Sequence, residues 1–220
     1  MITARQLLTT DIPVLGAQDD PINALNLMDE YRVNHLPVVE NGKFLGVISE
    51  TTLMGAETIT GNSSHAELQL IKSSVQPGVH ILDILKEAGE HHITMIPVVD
   101  AENNYLGAVT LEDLVANLSE MQGATQRGGI IVLEMWETDY SLQQIARIVE
   151  ENDAKILSTS VSAGDNGKIE LHLKISIPDL NAIIQSLERF NYEVKASYQE
   201  QEYNDDLKKR YEELMRYLSI

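Results

Sequence analysis

Apolar positions recur along this chain with two different periods, and the switches between them mark out its elements. Leu36 to Val39 and Ile96 to Val99 are short continuous apolar runs, as strands buried on both faces should be. A polar turn follows each run, with Asn41-Gly42 a strong hairpin signal in the first and Asp100 to Asn104 forming the second. Each turn leads into another strand, predicted over Phe44 to Ile48 and over Tyr105 to Thr110. Ahead of each hairpin the spacing becomes helical. Ala24, Leu27, Met28 and Tyr31 form one stripe, behind Asp20 as N-cap and Pro21 as first helical residue. Ile81, Ile84, Leu85 and Ala88 form the other, and a further helix is predicted from Leu111 to about Met121.

The two stretches are copies of one plan. Pro97 lies 60 residues after Pro37, and Gly107 lies 61 after Gly46, so the copies stay in register apart from one extra residue in the second turn. Repetition of this kind predicts two similar half-domains packed on each other, over residues 1–62 and 63–123, with the boundary at Gly61-Asn62-Ser63-Ser64.

After a Gly-rich linker from Gln122 to Gly129 the pattern changes. Ile130 to Met135 reads as a strand, and Leu142, Ile145, Ala146 and Val149 as a helical stripe capped by Asp139 or Ser141. Ala154 to Ser162 is a second strand. Ile169 to Ile177 alternates strictly between apolar and polar residues, as a strand with one buried face does. Leu180, Ile183, Ile184 and Leu187 give a second helix, and Tyr192, Val194, Ala196 and Tyr198 a last strand with those four side chains on one face. The order βαββαβ over residues 128–198 predicts an antiparallel four-stranded sheet with both helices on one side. Trp136, the only tryptophan, is expected in core or interface packing. Residues 201–220 read as a C-terminal amphipathic helix, with Tyr203, Leu207, Tyr211, Leu214 and Leu218 on one narrow stripe. The fold class is therefore α+β.

Composition narrows the function. The net charge of −18 is concentrated in residues 1–125, which hold 17 acids against 5 Lys and Arg. A chain so acidic repels phosphate backbones, so no nucleic-acid partner is expected, and its scarcity of cations disfavours triphosphates. Without cysteine there is no disulfide framework and no thiolate chemistry. No apolar run reaches the roughly 18 residues of a membrane span, and MITARQLLTTDIP lacks the stretch of a secretory signal, so a cytoplasmic protein is expected. Neither a Gly-x-Ser-x-Gly elbow nor a Gly-x4-Gly-Lys loop is present, and the expectation is a protein that is not an enzyme and requires no cofactor.

The repeat resembles the cystathionine-β-synthase (CBS) domain, a module that occurs in tandem pairs and senses adenine nucleotides. The resemblance is carried by Gly107-Ala108-Val109-Thr110-Leu111-Glu112-Asp113-Leu114 and by Gly46-Val47-Ile48-Ser49-Glu50-Thr51-Thr52-Leu53, where Thr52 replaces the acid. The βαββαβ unit is similar to an ACT domain, an amino-acid-sensing module. Its turn Glu137-Thr138-Asp139-Tyr140-Ser141-Leu142 has no Gly, which favours a structural or dimerising role. The whole chain is similar to CBS–CBS–ACT proteins of the bacterial acetoin-utilisation type. The resemblance implies a regulatory homodimer that binds AMP, ADP, ATP or a related adenosine ligand and acts on a partner such as a regulated enzyme. Degenerate sites on a ligand-free oligomerisation scaffold are the alternative. The residues implied at the ligand are Thr110 and Asp113, with Met95, Ile96 and Pro97 from the preceding strand and His35 and Ser49 from the first repeat.

Read as residues alone, Thr110 and Asp113 also satisfy a helix capping box, in which the hydroxyl accepts from the backbone N–H three positions on. His35 is equally a partly buried, hydrogen-bonded histidine. His91-His92 does not read as a metal pair, because adjacent helical residues point about 100° apart.

Overall fold

The structure is a computed structural model, which describes residues 2–57, 69–199 and 215–216. The chain divides into two compact units, residues 1–117 and 118–220.

The first unit holds α1 (Ala4–Leu7), α2 (Pro21–Tyr31), β1 (His35–Glu40), β2 (Lys43–Ser49), α3 (Glu50–Glu57), α4 (Ile81–His91), β3 (Met95–Val99) and β4 (Tyr105–Thr110), and α5 (Leu111–Met121) begins in it. Asp20 caps α2 by accepting from the Ile22 N–H, with Pro21 in the first turn. The hairpin β1–β2 turns on Asn41 and Gly42, both at positive φ, the geometry that matches strand twist in a two-residue loop. In β3–β4 the extra residue is absorbed by a longer turn, where Asp100 accepts from the N–H groups of Glu102 and Asn104. Those bonds and the Asn104 amide hold the Asp100 carboxyl below its ordinary range.

Helical burial is narrower than the spacing predicts. Ala24 and Met28 are buried but Tyr31 is exposed, and Ile81, Ile84 and Ala88 are buried but Leu85 is exposed. Each helix lies over a two-stranded hairpin, which is too small to cover the edge of a wide stripe.

The two hairpins are laced together by exchange. Val38 of the first is bridged on one side by Leu15, while its partner strand is bridged at Val47 by Ile71 from the approach to the second repeat. The second hairpin is bridged by Val75 and, at Ala108, by Thr9 from the chain's beginning. Gly107 makes that last contact possible. Its φ is +150°, and a Cβ there would lie 2.5 Å from the Thr9 carbonyl oxygen. Between the hairpins the equivalent residues Phe44 and Tyr105 stack with ring centroids 6.5 Å apart.

The second unit contains β5 (Gly129–Met135), α6 (Leu142–Glu150), β6 (Ile156–Ala163), β7 (Ile169–Ile175), α7 (Asn181–Arg189) and β8 (Glu193–Tyr198). The sheet order is β6-β7-β5-β8, all antiparallel. Ile131, Leu133, Leu171 and Leu173 from the sheet pack with Ile145 and Val149 of α6 and with Ile183 and Leu187 of α7, so both helices lie on one face as the pattern predicts. Ser141, not Asp139, caps α6. Ile148 takes the buried place expected for Leu142, which is exposed.

The alternation expected in β8 breaks. A bulge against Val132/Leu133 leaves Lys195 without a counterpart, so Val194 opposes Leu133 on the core side while Ala196 opposes Val132 and Tyr198 opposes Ile130 on the other. Lys195 then reaches Glu134 at 2.8 Å and Glu170 at 2.6 Å, and Lys168 reaches Glu134 and Glu193, each at 2.9 Å. The two ammonium groups hold the Glu134 carboxyl below the usual range. Trp136 is not in the core, being 51% exposed beside Gly167. The stripe expected over residues 201–220 lies outside the described residues except for Met215 and Arg216, which are helical.

Candidate ligand site

Strand β4 ends at Thr110 and α5 starts at Leu111, so the junction fixes a hydroxyl at the mouth of a helix. Thr110 Oγ1 accepts from the Asp113 N–H at 3.1 Å and donates to Asp113 Oδ2 at 2.6 Å. Part of the capping box is therefore realised: the acid reaches back to the hydroxyl rather than to a backbone N–H. Among the described residues Oδ1 of Asp113 has no donor, which leaves one carboxylate oxygen able to accept.

The first repeat has the same junction with different chemistry. Ser49 Oγ lies 2.8 Å from Thr52 Oγ1 and 2.9 Å from Thr51 Oγ1, and accepts from the Thr52 N–H at 3.2 Å. Three neutral hydroxyls close on one another there. Thr52, at the position equivalent to Asp113, offers no carboxylate to accept from a diol.

Thr110 and Asp113 open onto a cleft of about 550 Å³, lined also by the segment Gln6 to Ile12 and by Glu112 and Asn117 of α5. That segment is there because Thr9 pairs with Ala108 in both directions, its N–H donating at 2.8 Å and its carbonyl accepting at 2.9 Å. Asp11, Glu112 and Asp113 line the cleft, and among the described lining residues there is no Lys, Arg or His. Such a lining accepts hydrogen bonds from hydroxyls and amines and repels anions.

Met95, Ile96 and Pro97 stand behind this cleft, whereas His35 and Ser49 belong to the first hairpin. Met95 pairs with Thr110 across β3–β4, Ile96 with Val109 and Pro97 with Ala108. Met95 and Ile96 are fully buried and Pro97 is buried, so all three support the strand that ends in Thr110 and none of them lines the opening. His35 is buried between the repeats, where its Nδ1 accepts from the Thr94 N–H at 3.3 Å and lies 3.1 Å from the Thr94 hydroxyl. Burial pushes its pKa below 6.5. It pairs with Ser49, as Met95 pairs with Thr110. Gln6, Thr9, Asp11 and Asn117 were not anticipated. Gly107 was the available signal, since a glycine inside an apolar strand marks close approach of another backbone.

The CBS domain family profile matches residues 4–58 and 73–120. This part of the chain is a tandem CBS domain pair. The chain is 26% identical over 128 residues to the CBS domain-containing protein YhcV of Bacillus subtilis, a match over 56% of this chain and 91% of that one. It is 24% identical over 131 residues to inosine-5′-monophosphate dehydrogenase of Methanocaldococcus jannaschii, covering 59% of this chain but only 26% of that enzyme. Among solved structures it is similar to a CBS domain pair/ACT domain protein from Thermotoga maritima, with 27% identity over 54% of this chain and 98% of that one and a TM-score of 0.49. Among the described residues, no helix is long and apolar enough to cross a membrane, and no group of three His, Asp or Glu is placed to hold a metal ion.

Proposed function

We propose that this chain is a non-catalytic regulator whose CBS pair binds one adenosine-bearing ligand, in the cleft at Thr110 and Asp113. The observation that carries the reading is the free Oδ1 of Asp113 at the edge of a 550 Å³ cleft. A carboxylate oxygen at that place suits the vicinal hydroxyls of a ribose. The three acids of the lining refine the ligand. They disfavour a triphosphate and favour an adenosine compound of low or positive charge, such as adenosine itself or S-adenosylmethionine, with AMP weaker and ATP weakest.

The second unit is read as an ACT-like dimerising domain, because the turn between β5 and α6 carries side chains at every position where a ligand would need close approach. The chain then corresponds to the CBS–CBS–ACT acetoin-utilisation type and works as a cytoplasmic homodimer acting on a partner. Exposed apolar side chains on the helices of the pair, Ile22, Met54, Leu82 and Leu111, support self-association. A ligand-free scaffold is favoured by one observation, the mutual satisfaction of Ser49, Thr51 and Thr52. The experiment that separates the two readings is melting of the full chain with adenosine, S-adenosylmethionine, AMP, ADP and ATP. A ligand present at 100 times its dissociation constant adds about 2.7 kcal/mol. A set of curves that all overlay the ligand-free one would leave only the scaffold.

A further inference from the structure

The face of the four-stranded sheet turned away from α6 and α7 holds a second cleft, of about 350 Å³, lined among others by Gln122, Ala124, Ile130, Ser160, His172 and Lys174. Strand alternation places these side chains. Ser160 opposes His172, and Lys174 opposes both Ser158 and Ile130, whereas Leu171, Leu173 and Ile131 between them point into the core. One side of the cleft is lined by the segment around Gln122, whose carbonyl accepts from the Ser158 hydroxyl at 2.8 Å.

Charge sets Lys174 apart. Lys155, Lys168 and Lys195 of the same unit all meet carboxylates within 3 Å. Lys174 is half-buried, and among the described residues its ammonium meets only the Gly128 carbonyl, at 3.4 Å. Among the described lining residues there is no carboxylate. In a chain with 34 acids against 16 Lys and Arg, a half-buried cation left without a counter-ion is the exception. Beside it stand the Ser160 hydroxyl and His172, whose Nε2 lies 3.0 Å from Ser162 Oγ and 3.6 Å from Glu170 Oε2, an acid outside the lining.

We propose that this cleft binds an aliphatic monocarboxylate, with the carboxylate on the Lys174 ammonium and the Ser160 hydroxyl and the hydrocarbon against Ile130 and Ala124. A single permanent cation matches a single negative charge, and the field of a strongly acidic protein repels phosphate and dicarboxylates. A lining without an acid gives an α-ammonium group no counter-charge, so an amino acid fits worse than its deaminated analogue. The volume lies near the lower end of the roughly 300–1,000 Å³ of ligand pockets, which suits a small organic acid. The proposal is independent of the nucleotide reading, since both its ligand and its residues are different.

The test is a titration of the full ¹⁵N-labelled chain with 3-methylbutanoate, 3-methylbutan-1-ol, L-valine and inorganic phosphate, following the amides of Ser158, Ser160, His172 and Lys174. Saturable shifts at these amides with 3-methylbutanoate, with half-saturation at about 1 mM, are expected. The alcohol, valine and phosphate should bind at least tenfold more weakly. Lys174→Gln should weaken 3-methylbutanoate at least tenfold, and Ser160→Ala severalfold; the second variant decides if the first melts lower than the parent. The proposal is overturned by shifts that stay linear to ~50 mM, well beyond millimolar affinity, by equal binding of valine or phosphate, or by undiminished binding in folded Lys174→Gln or Ser160→Ala.

Discussion

Replacing Asp113 by Ala tests the ligand site where its two repeats differ most. Asp113 Oδ2 is already used by the Thr110 hydroxyl at 2.6 Å, so the oxygen offered to a ligand is Oδ1. Hydrogen bonds to a charged acceptor contribute roughly 1.5–3 kcal/mol, which corresponds to a loss of about ten- to a hundredfold in affinity. The same change removes one internal bond and a first-turn acid from α5, and lowers stability by roughly 0.5–1.5 kcal/mol, a fall of a few degrees in melting. The Asp113 N–H keeps its acceptor on Thr110, so the helix still starts at the same place. Calorimetric titration with S-adenosylmethionine, at a temperature where both proteins are folded, reads the affinity directly. Thr52→Ala, made at the equivalent position of the first repeat, should leave it nearly unchanged, because Thr52 belongs to a cluster of neutral hydroxyls. Equal losses from both substitutions, or none from Asp113→Ala in a folded protein, would refute the assignment.

The remaining predictions address the scaffold. Gly107→Ala drives a Cβ to within 2.5 Å of the Thr9 carbonyl, so a loss of about 1–3 kcal/mol and weaker ligand binding are expected, whereas Gly89→Ala, in an open position of α4, should be neutral or stabilising by up to about 1 kcal/mol; chemical denaturation measures both. His35 is held below its ordinary pKa of 6.5 by burial, so the unfolded chain binds the proton more readily. Stability from the neutral ring is complete above about pH 6.5 and declines as pH falls from there toward the depressed folded value, so urea midpoints should drop more steeply for the parent than for His35→Asn. Light scattering should return twice the 24.5 kDa chain mass, and cutting after Gln201 should lower the melting temperature or dissociate the dimer; a full-length monomer contradicts the first, and an unchanged truncated dimer the second.

The elements most legible in the sequence were those where local chemistry and tertiary burial agree. The hairpin at Asn41-Gly42, the cap at Asp20-Pro21 and the span of α5 follow from turn stereochemistry, capping and periodicity, and nothing distant overrides them. The face of β8 was not legible. A single bulged residue at Lys195 reverses every side chain after it, and the composition of the strand carries no trace of the slip. Tyr31 and Leu85 fail for another reason, since a stripe records which residues are able to be buried and a small hairpin limits how many are. At the candidate site, the pairing of Thr110 with Asp113 could be expected because the two are local to one junction. The N-terminal part of the lining could not. Gln6 to Ile12 reaches the cleft through the Thr9–Ala108 pairing, a contact across about half the chain that only the glycine at 107 foreshadows.

Mapping of backbone amides during a titration with S-adenosylmethionine tests the central claim most directly, because it reports where the ligand sits as well as whether it binds. Binding in the second-repeat cleft predicts saturable shifts at Thr9, Asp11, Thr110, Glu112, Asp113 and Asn117, with Ser49 and Thr52 unmoved. Shifts centred on Ser49 and Thr52, or a spectrum that does not change at any of these amides, would contradict it.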